Sequence, residues 1–142
     1  MLKYFLIGVP VTFIIIFNLG YLFHEVLAKK FFTRTIGQIE REKYIIPLIA
    51  IAFIFYCLIQ AYLLHIFYFF ASINYGWGLK RTAITFGLLM GFFWEALQGG
   101  IIEVATFKMP GKVFWVDSTY HVLEGAITAL ILAFFYAHFV LG

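Results

Sequence analysis

The sequence predicts an all-α integral membrane protein, and three observations support that fold class. Hydrophobic residues make up 64% of the 142-residue chain and charged residues only 12%. The mean hydropathy of +0.99 is far above that of soluble domains, in which about 25% of residues are charged. Four apolar runs approach or exceed the roughly 20 residues with which a helix crosses a bilayer, and none has the alternating pattern of a transmembrane barrel. We therefore predict a single domain, a bundle of four transmembrane helices.

The predicted spans cover residues from about 4 to 25, 44 to 71, 82 to 104 and 115 to 138. The first follows a short Met1–Lys3 segment and resembles a signal peptide, but its apolar run is too long for one. We expect an uncleaved helix with a mild bend at Pro10. Asn18, Tyr21 and Glu25 recur at helical spacing and place a polar stripe near one end of this helix.

An amphipathic helix is predicted between spans one and two. From Val26 to Lys43 the chain interleaves charged side chains with apolar ones such as Phe31 and Ile36. This pattern is typical of a helix lying in the membrane interface.

The second span begins with Pro47 in its first turn. Its interior polar residues are Gln60 and His65, with Tyr68 one turn further on. The glycine-rich Asn74–Gly78 cluster then predicts a turn.

The third span carries Gly87 and Gly91, four residues apart, and such small residues allow close helix approach. Glu95 follows one turn later, and Gln98 continues the same side. Four short spans enclose only a small cavity, so transport favours at least a dimer. The Gly87 and Gly91 pair is a candidate for that homo-oligomer interface as well as for packing within the chain.

The fourth span carries the most informative pattern in the chain. At about 100° per residue, Asp117, His121, Glu124 and Thr128 form one polar stripe on an apolar helix. Ionisable groups cost about 2.5–3.5 kcal/mol or more at the bilayer centre, so they face a protein interior or a cavity and indicate a functional site. We expect Asp117, at the predicted start of the helix, to act as its N-cap.

Spans three and four should be antiparallel neighbours, because a short loop joins them. With Val104 and Trp115 as their edges, Glu95 and Glu124 are equally deep, about 13.5 Å at 1.5 Å per residue. The same register sets Gln98 opposite His121. His65 is expected within about a turn of that level, with Tyr68 beside it.

Several chemistries fit such a cluster. Two close carboxylates in a low dielectric share a proton, which suits proton coupling. Alternatively, Glu95, His121, Glu124 and His65 supply the oxygen and nitrogen ligands of a divalent metal such as Zn, Mn or Fe. A haem held by His65 and His121 is the least supported alternative.

Composition excludes other classes. The net charge of +3 comes from Lys and Arg in loops, where membrane topology accounts for them, so nucleic acid is not an expected partner. Seven of these residues fall in the first and third loops and three on the opposite side. We therefore expect both termini to be non-cytoplasmic. Cys57 is the only cysteine and is expected to be a small core residue.

The segment Glu95-Ala-Leu-Gln98, followed after a loop by Asp117-x-x-x-His121, resembles the VanZ-like family of small membrane proteins. His65, followed by aromatic residues, is similar to an earlier segment of that family. The sequence departs from the family pattern in three ways. His121 stands where the family has Asn, and Glu124 where it has an apolar or small residue. The first helix and the basic interfacial stretch after it have no counterpart in the family. The layout is also similar to that of other uncharacterised four-helix membrane families.

Three functions remain open from the sequence. The first is binding or transport of a small solute or ion, coupled to protons or a divalent metal. The second is an intramembrane enzyme acting on a lipid or isoprenoid, with Glu95 or Glu124 as the acid or base and His121 as its partner. The third is a non-catalytic membrane subunit or assembly factor, whose polar stripe only fixes helix packing.

Overall fold

A computed structural model describes residues 1–36, 45–93 and 110–142 of the protein. Within these ranges the backbone is helical and contains no strand, as the sequence predicts. The described helices are α1 Tyr4–Leu27, α2 Lys29–Ile36, α3 Ile46–Tyr75, α4 Leu79–Met90 and α5 Gly111–Leu141.

Three of these helices are long and apolar enough to cross a membrane: α1, α3 and α5, with 24, 30 and 31 residues. Their outer faces carry large exposed apolar side chains such as Leu6, Phe69 and Phe134, which suit contact with lipid. The described part of the predicted third span is α4, of 12 residues, with helical backbone continuing to position 93. The rest of that span lies outside the described residues, so the count of four stays a prediction.

The start of α5 differs from the sequence prediction. Pro110 is extended, and the helix begins at Gly111, four positions before the predicted edge at Trp115. Asp117 is therefore well inside the helix, where the backbone amides have helical partners. The prediction that Asp117 is an N-cap is wrong.

Helices α4 and α5 cross closely at three glycines. A Cβ added to Gly87 would lie 2.5 Å from the carbonyl oxygen of Gly125, and one added to Gly91 would lie 2.6 Å from the carbonyl oxygen of His121. Only glycine permits this approach of two backbones. Gly87 and Gly91 therefore pack against α5 of the same chain, and the homo-oligomer stays a prediction.

Helix α1 runs antiparallel to α5. A Cβ at Gly8 would lie 2.9 Å from Phe135 near one end, and Gly20 lies beside Tyr120 toward the other. The Tyr4 hydroxyl donates to the carbonyl oxygen of Ala61 at 3.2 Å, which ties the start of α1 to α3. The core beneath these contacts includes Cys57, which is buried, as predicted.

The predicted amphipathic segment is helical where the structure describes it, over Lys29–Ile36. Phe32 is buried with Ala28 and Val113, so one face of α2 packs on the start of α5. The remainder of the predicted amphipathic helix, positions 37–43, lies outside the described residues.

Candidate functional site

The polar stripe of α5 faces the protein interior. Glu124 is only 3% exposed and Thr128 is fully buried. The Thr128 hydroxyl donates to the backbone oxygen of Glu124 at 2.7 Å, so this hydroxyl is satisfied within its own helix. The ionisable groups of the stripe are therefore the part available for chemistry.

His121 lies between two carboxylates. Its Nδ1 is 3.0 Å from Glu124 Oε2, and its Nε2 is 3.4 Å from Asp117 Oδ2. The spacings of three and four residues place all three side chains on one face of α5. Both contacts are favourable if the imidazole carries two protons and donates from both nitrogens, or if one carboxyl is protonated and donates to the unprotonated nitrogen. One proton shared within this trio, Asp117, His121 and Glu124, would make both contacts favourable.

The other oxygen of Glu124 is also engaged. The Tyr120 hydroxyl donates to Glu124 Oε1 at 2.6 Å, and the Tyr120 ring stacks on Phe23 of α1 at 4.1 Å between ring centroids. This stacking holds the hydroxyl in place, and both carboxylate oxygens are thus oriented by fixed neighbours. Sequence reasoning missed Tyr120, although its spacing of four residues from Glu124 could have indicated it.

Helix α1 contributes a second imidazole. His24 Nε2 lies 3.8 Å from Asp117 Oδ1, so Asp117 stands between two histidines. His24 lies in a π-helical segment of α1, Leu22–Leu27. This segment ends where the Ala28 amide donates to the Phe23 carbonyl at 2.7 Å. Short π-helical segments within α-helices are frequent at functional sites. The sequence predicted a polar stripe in this region but did not join His24 to Asp117.

Gln60 of α3 is a third residue, after Tyr120 and His24, that sequence reasoning left out of the site. Its side chain is fully buried. Neither its Nε2 nor its Oε1 has a hydrogen-bond partner in the part of the chain that the structure describes. The polar character of Gln60 was visible in the sequence, but its neighbours were not.

Two cavities meet at His121. The first, which we call the Gln60 cavity, has a volume of about 320 Å³ and lies between α3, α4 and α5. Its walls include Gln60, Met90, His121 and Glu124. The second, which we call the His24 groove, has a volume of about 420 Å³. It is lined mostly by apolar residues of α1, α2, α3 and α5. Its polar lining residues are Tyr21, His24, Glu25, Asp117 and His121.

His65 and Tyr68 do not join this site. His65 Nδ1 lies 2.6 Å from the Tyr136 hydroxyl, and the Tyr68 ring packs edge-on against the same tyrosine. Tyr136 is twelve positions beyond Glu124 on α5, about 18 Å at 1.5 Å per residue. The prediction that His65 and Tyr68 converge with Glu124 is wrong, because α3 runs parallel to α5 and carries them toward its far end.

Glu95 and Gln98 lie outside the described residues. The helix register on which their placement depended is shifted, since Gly91 lies against His121 where the sequence predicted Gln98. The shift arises partly because α5 begins earlier than Trp115.

Within residues 1–36, 45–93 and 110–142, no group of three or more His, Cys, Asp or Glu side chains is arranged to hold a metal ion. In the trio, both imidazole nitrogens of His121 already face carboxylates. A metal would have to displace one of these contacts to reach a ring nitrogen. The described geometry thus suits a proton better than a Zn, Mn or Fe ion.

Comparison with known proteins found no matching family model, no matching curated protein and no matching solved structure. The resemblance to VanZ-like proteins therefore stays a prediction.

Proposed function

We propose that this chain is a small membrane protein that binds and transports a small solute and couples that movement to a proton. The observation that carries the proposal is the position of His121. It lies between the carboxylates of Asp117 and Glu124 and on the walls of both cavities. A titratable group with access to two separate spaces is what coupling requires.

The coupling step follows from hydrogen-bond chemistry. While the trio holds its shared proton, His121 donates toward both Asp117 and Glu124. When that proton passes to water in one cavity, one ring nitrogen becomes an acceptor that faces a carboxylate. That contact then repels, and the imidazole turns away from it. Occupancy of a cavity by solute thereby becomes linked to the protonation of the trio.

The membrane arrangement belongs to the same proposal. We place α1, α3 and α5 across the bilayer, with residues 82–104 as the remaining span. The first and third loops are cytoplasmic and both termini are non-cytoplasmic, because Lys and Arg are concentrated in those loops. In this frame the trio lies within the membrane, where unpaired charge is costly and a shared proton is functionally useful.

The experiment is proton movement in liposomes. Purified protein is reconstituted into liposomes that enclose a pH-sensitive dye, and the external buffer is acidified. Small carboxylates, amines, amides and amino acids are then added in turn. We expect solute-dependent proton entry that Glu124→Gln and His121→Gln abolish. His138→Gln is the matched control, because His138 is an exposed histidine of the same helix and should transport normally.

Two results would contradict the proposal. One is a folded Glu124→Gln variant that moves protons as fast as the unaltered protein. The other is an unaltered protein that moves no protons with any of the four solute classes.

A second candidate is favoured by the His24 groove. Apolar residues such as Phe17, Ile49 and Phe53 lead to His24 and Asp117, an arrangement that suits an isoprenoid or acyl chain with its reactive group at the imidazoles. Acid and base catalysis on a lipid would then use His24 and His121. Mass spectrometry of lipids incubated with the protein separates the two candidates. Conversion that His24→Gln abolishes would favour the enzyme, and unchanged lipids would favour transport.

A further inference from the structure

We infer that the Gln60 cavity recognises a small neutral solute through a primary carboxamide or urea group, held by the side-chain amide of Gln60. The inference rests on the proposed function, since it names the class of solute that the transporter would carry. It depends on three features: the unpaired amide, the other cavity walls and the cavity size.

The first feature is the unpaired amide. Gln60 is fully buried in the middle of α3, and neither polar atom of its amide is hydrogen-bonded within the described ranges. A buried polar group without a partner costs about 1–3 kcal/mol. Asn74, an amide on the same helix, instead donates to the Phe70 carbonyl at 2.9 Å. Both polar atoms of the Gln60 amide are therefore open to a ligand that enters the cavity.

The second feature is the hydrogen-bonding chemistry of the cavity walls, beginning with Gln60. The Gln60 amide presents one acceptor and two donor hydrogens in a single plane. A primary amide or a urea complements it with two parallel hydrogen bonds, its N–H donating to Oε1 and its oxygen accepting from Nε2. An anion would leave Oε1 unpaired and lie near the carboxylate of Glu124. An ammonium ion would leave Nε2 unpaired.

Glu124 does not compete for this ligand. One carboxylate oxygen accepts from Tyr120 and the other faces His121. The carboxylate therefore takes part in proton binding, whereas Gln60 binds the solute. The remaining walls, including Phe53, Phe55 and Ile59, are apolar or aromatic and suit a short hydrocarbon body.

The third feature is size. A volume of about 320 Å³ corresponds to roughly ten water molecules at about 30 Å³ each and lies at the lower end of the range of ligand sites. A six-carbon amide fits this space, whereas a phospholipid does not.

The test compares two amides. Binding of hexanamide and of N,N-dimethylhexanamide to the detergent-solubilised protein is measured by calorimetry and by the shift in unfolding temperature, at a single pH. The dimethyl compound retains the oxygen and the hydrocarbon chain but lacks both N–H donors, so it controls for partition into the apolar walls and the micelle. We expect hexanamide to bind at least tenfold more tightly.

Gln60→Leu should remove this preference. The unliganded variant should unfold at the same temperature as the unaltered protein or a higher one, because the substitution removes an unpaired buried amide. Asn74→Leu is the matched control and should keep the tenfold preference. If Gln60→Leu does not fold, Gln60→Met provides the same test with an unbranched side chain of similar length.

The inference is overturned if the two amides bind equally, if neither binds, or if Gln60→Leu still prefers hexanamide. Because binding is measured without a pH gradient, these results do not depend on proton movement. A preference for hexanamide together with normal proton movement in Glu124→Gln would refute coupling and leave the Gln60 assignment standing.

Discussion

Replacing Gly87 with alanine should separate α4 from α5 and lower the stability of the protein. The added Cβ would lie 2.5 Å from the Gly125 carbonyl oxygen and 2.6 Å from the Ala126 Cα. Both are backbone atoms of α5 and cannot rotate away, so the helices themselves must move. Gly125→Ala tests the same crossing from the other side, because its Cβ would lie 2.5 Å from the Gly87 carbonyl oxygen.

The size of the effect follows from the distances. Ordinary contacts between carbon atoms are about 3.5–4.0 Å, so the backbones must separate by about 1 Å, which forfeits a quarter to a half of the dispersion attraction across the gap. Overpacking of this kind costs about 1–3 kcal/mol. Alanine recovers up to about 1 kcal/mol through its better helix propensity. We therefore expect Gly87→Ala to lose about 1–2 kcal/mol of stability.

The assay is thermal unfolding of the purified protein in detergent, followed by circular dichroism and by size-exclusion chromatography after heating. Gly111→Ala is the matched control, because a Cβ on Gly111 at the start of α5 would meet nothing within 4 Å. This control should be neutral or slightly stabilised. The Gly87→Ala and Gly125→Ala double variant should lose less than the sum of the two, since either change alone separates the same crossing.

Equal unfolding temperatures for Gly87→Ala, Gly111→Ala and the unaltered protein would refute this reasoning. That result would mean that α4 and α5 do not approach each other closely at Gly87 and Gly125. It would also mean that α4 does not form a wall of the Gln60 cavity as described.

Three further predictions concern the trio and the membrane frame. Tyr120→Phe should cost about 0.6–1.7 kcal/mol in thermal unfolding, because it removes the 2.6 Å hydrogen bond to Glu124; an unchanged unfolding temperature would show that this bond does not hold the carboxylate. Glu124→Leu should lower the free energy of unfolding by about 1–3 kcal/mol, since it leaves Tyr120 and His121 without their acceptor. The nearly isosteric Glu124→Gln should lower it less. If the polar stripe is purely structural, both variants will show these losses with no change in proton movement. In a Cys57→Ala background, a single cysteine introduced at Gly142 should react with a membrane-impermeant maleimide added outside intact cells, and labelling only after lysis would contradict the proposed orientation.

Composition alone determined much of what is known about the fold. The high apolar content and long apolar runs predicted helices, because only helices satisfy every backbone group within one segment in lipid. The limits of the long helices follow from local signals. Pro47 lies in the first turn of α3, and Gly76, in the left-handed conformation with φ of 62°, ends it. The helical spacing of Asp117, His121 and Glu124 predicted one interior stripe before any packing was known.

Only the tertiary structure decided which groups meet. Periodicity places residues on a face of their own helix but carries no information about the rotation or sliding of one helix against another. The sequence therefore placed His65 near Glu124, whereas the structure pairs His65 with Tyr136 and brings His24 to Asp117. That arrangement depends on the glycine crossing of α4 and α5 and on the stacking of Phe23 on Tyr120, contacts between residues far apart in the chain. Gln60 lines the same cavity as Glu124 for the same physical reason: helix register is set by side-chain packing between segments and not by the sequence of either segment alone.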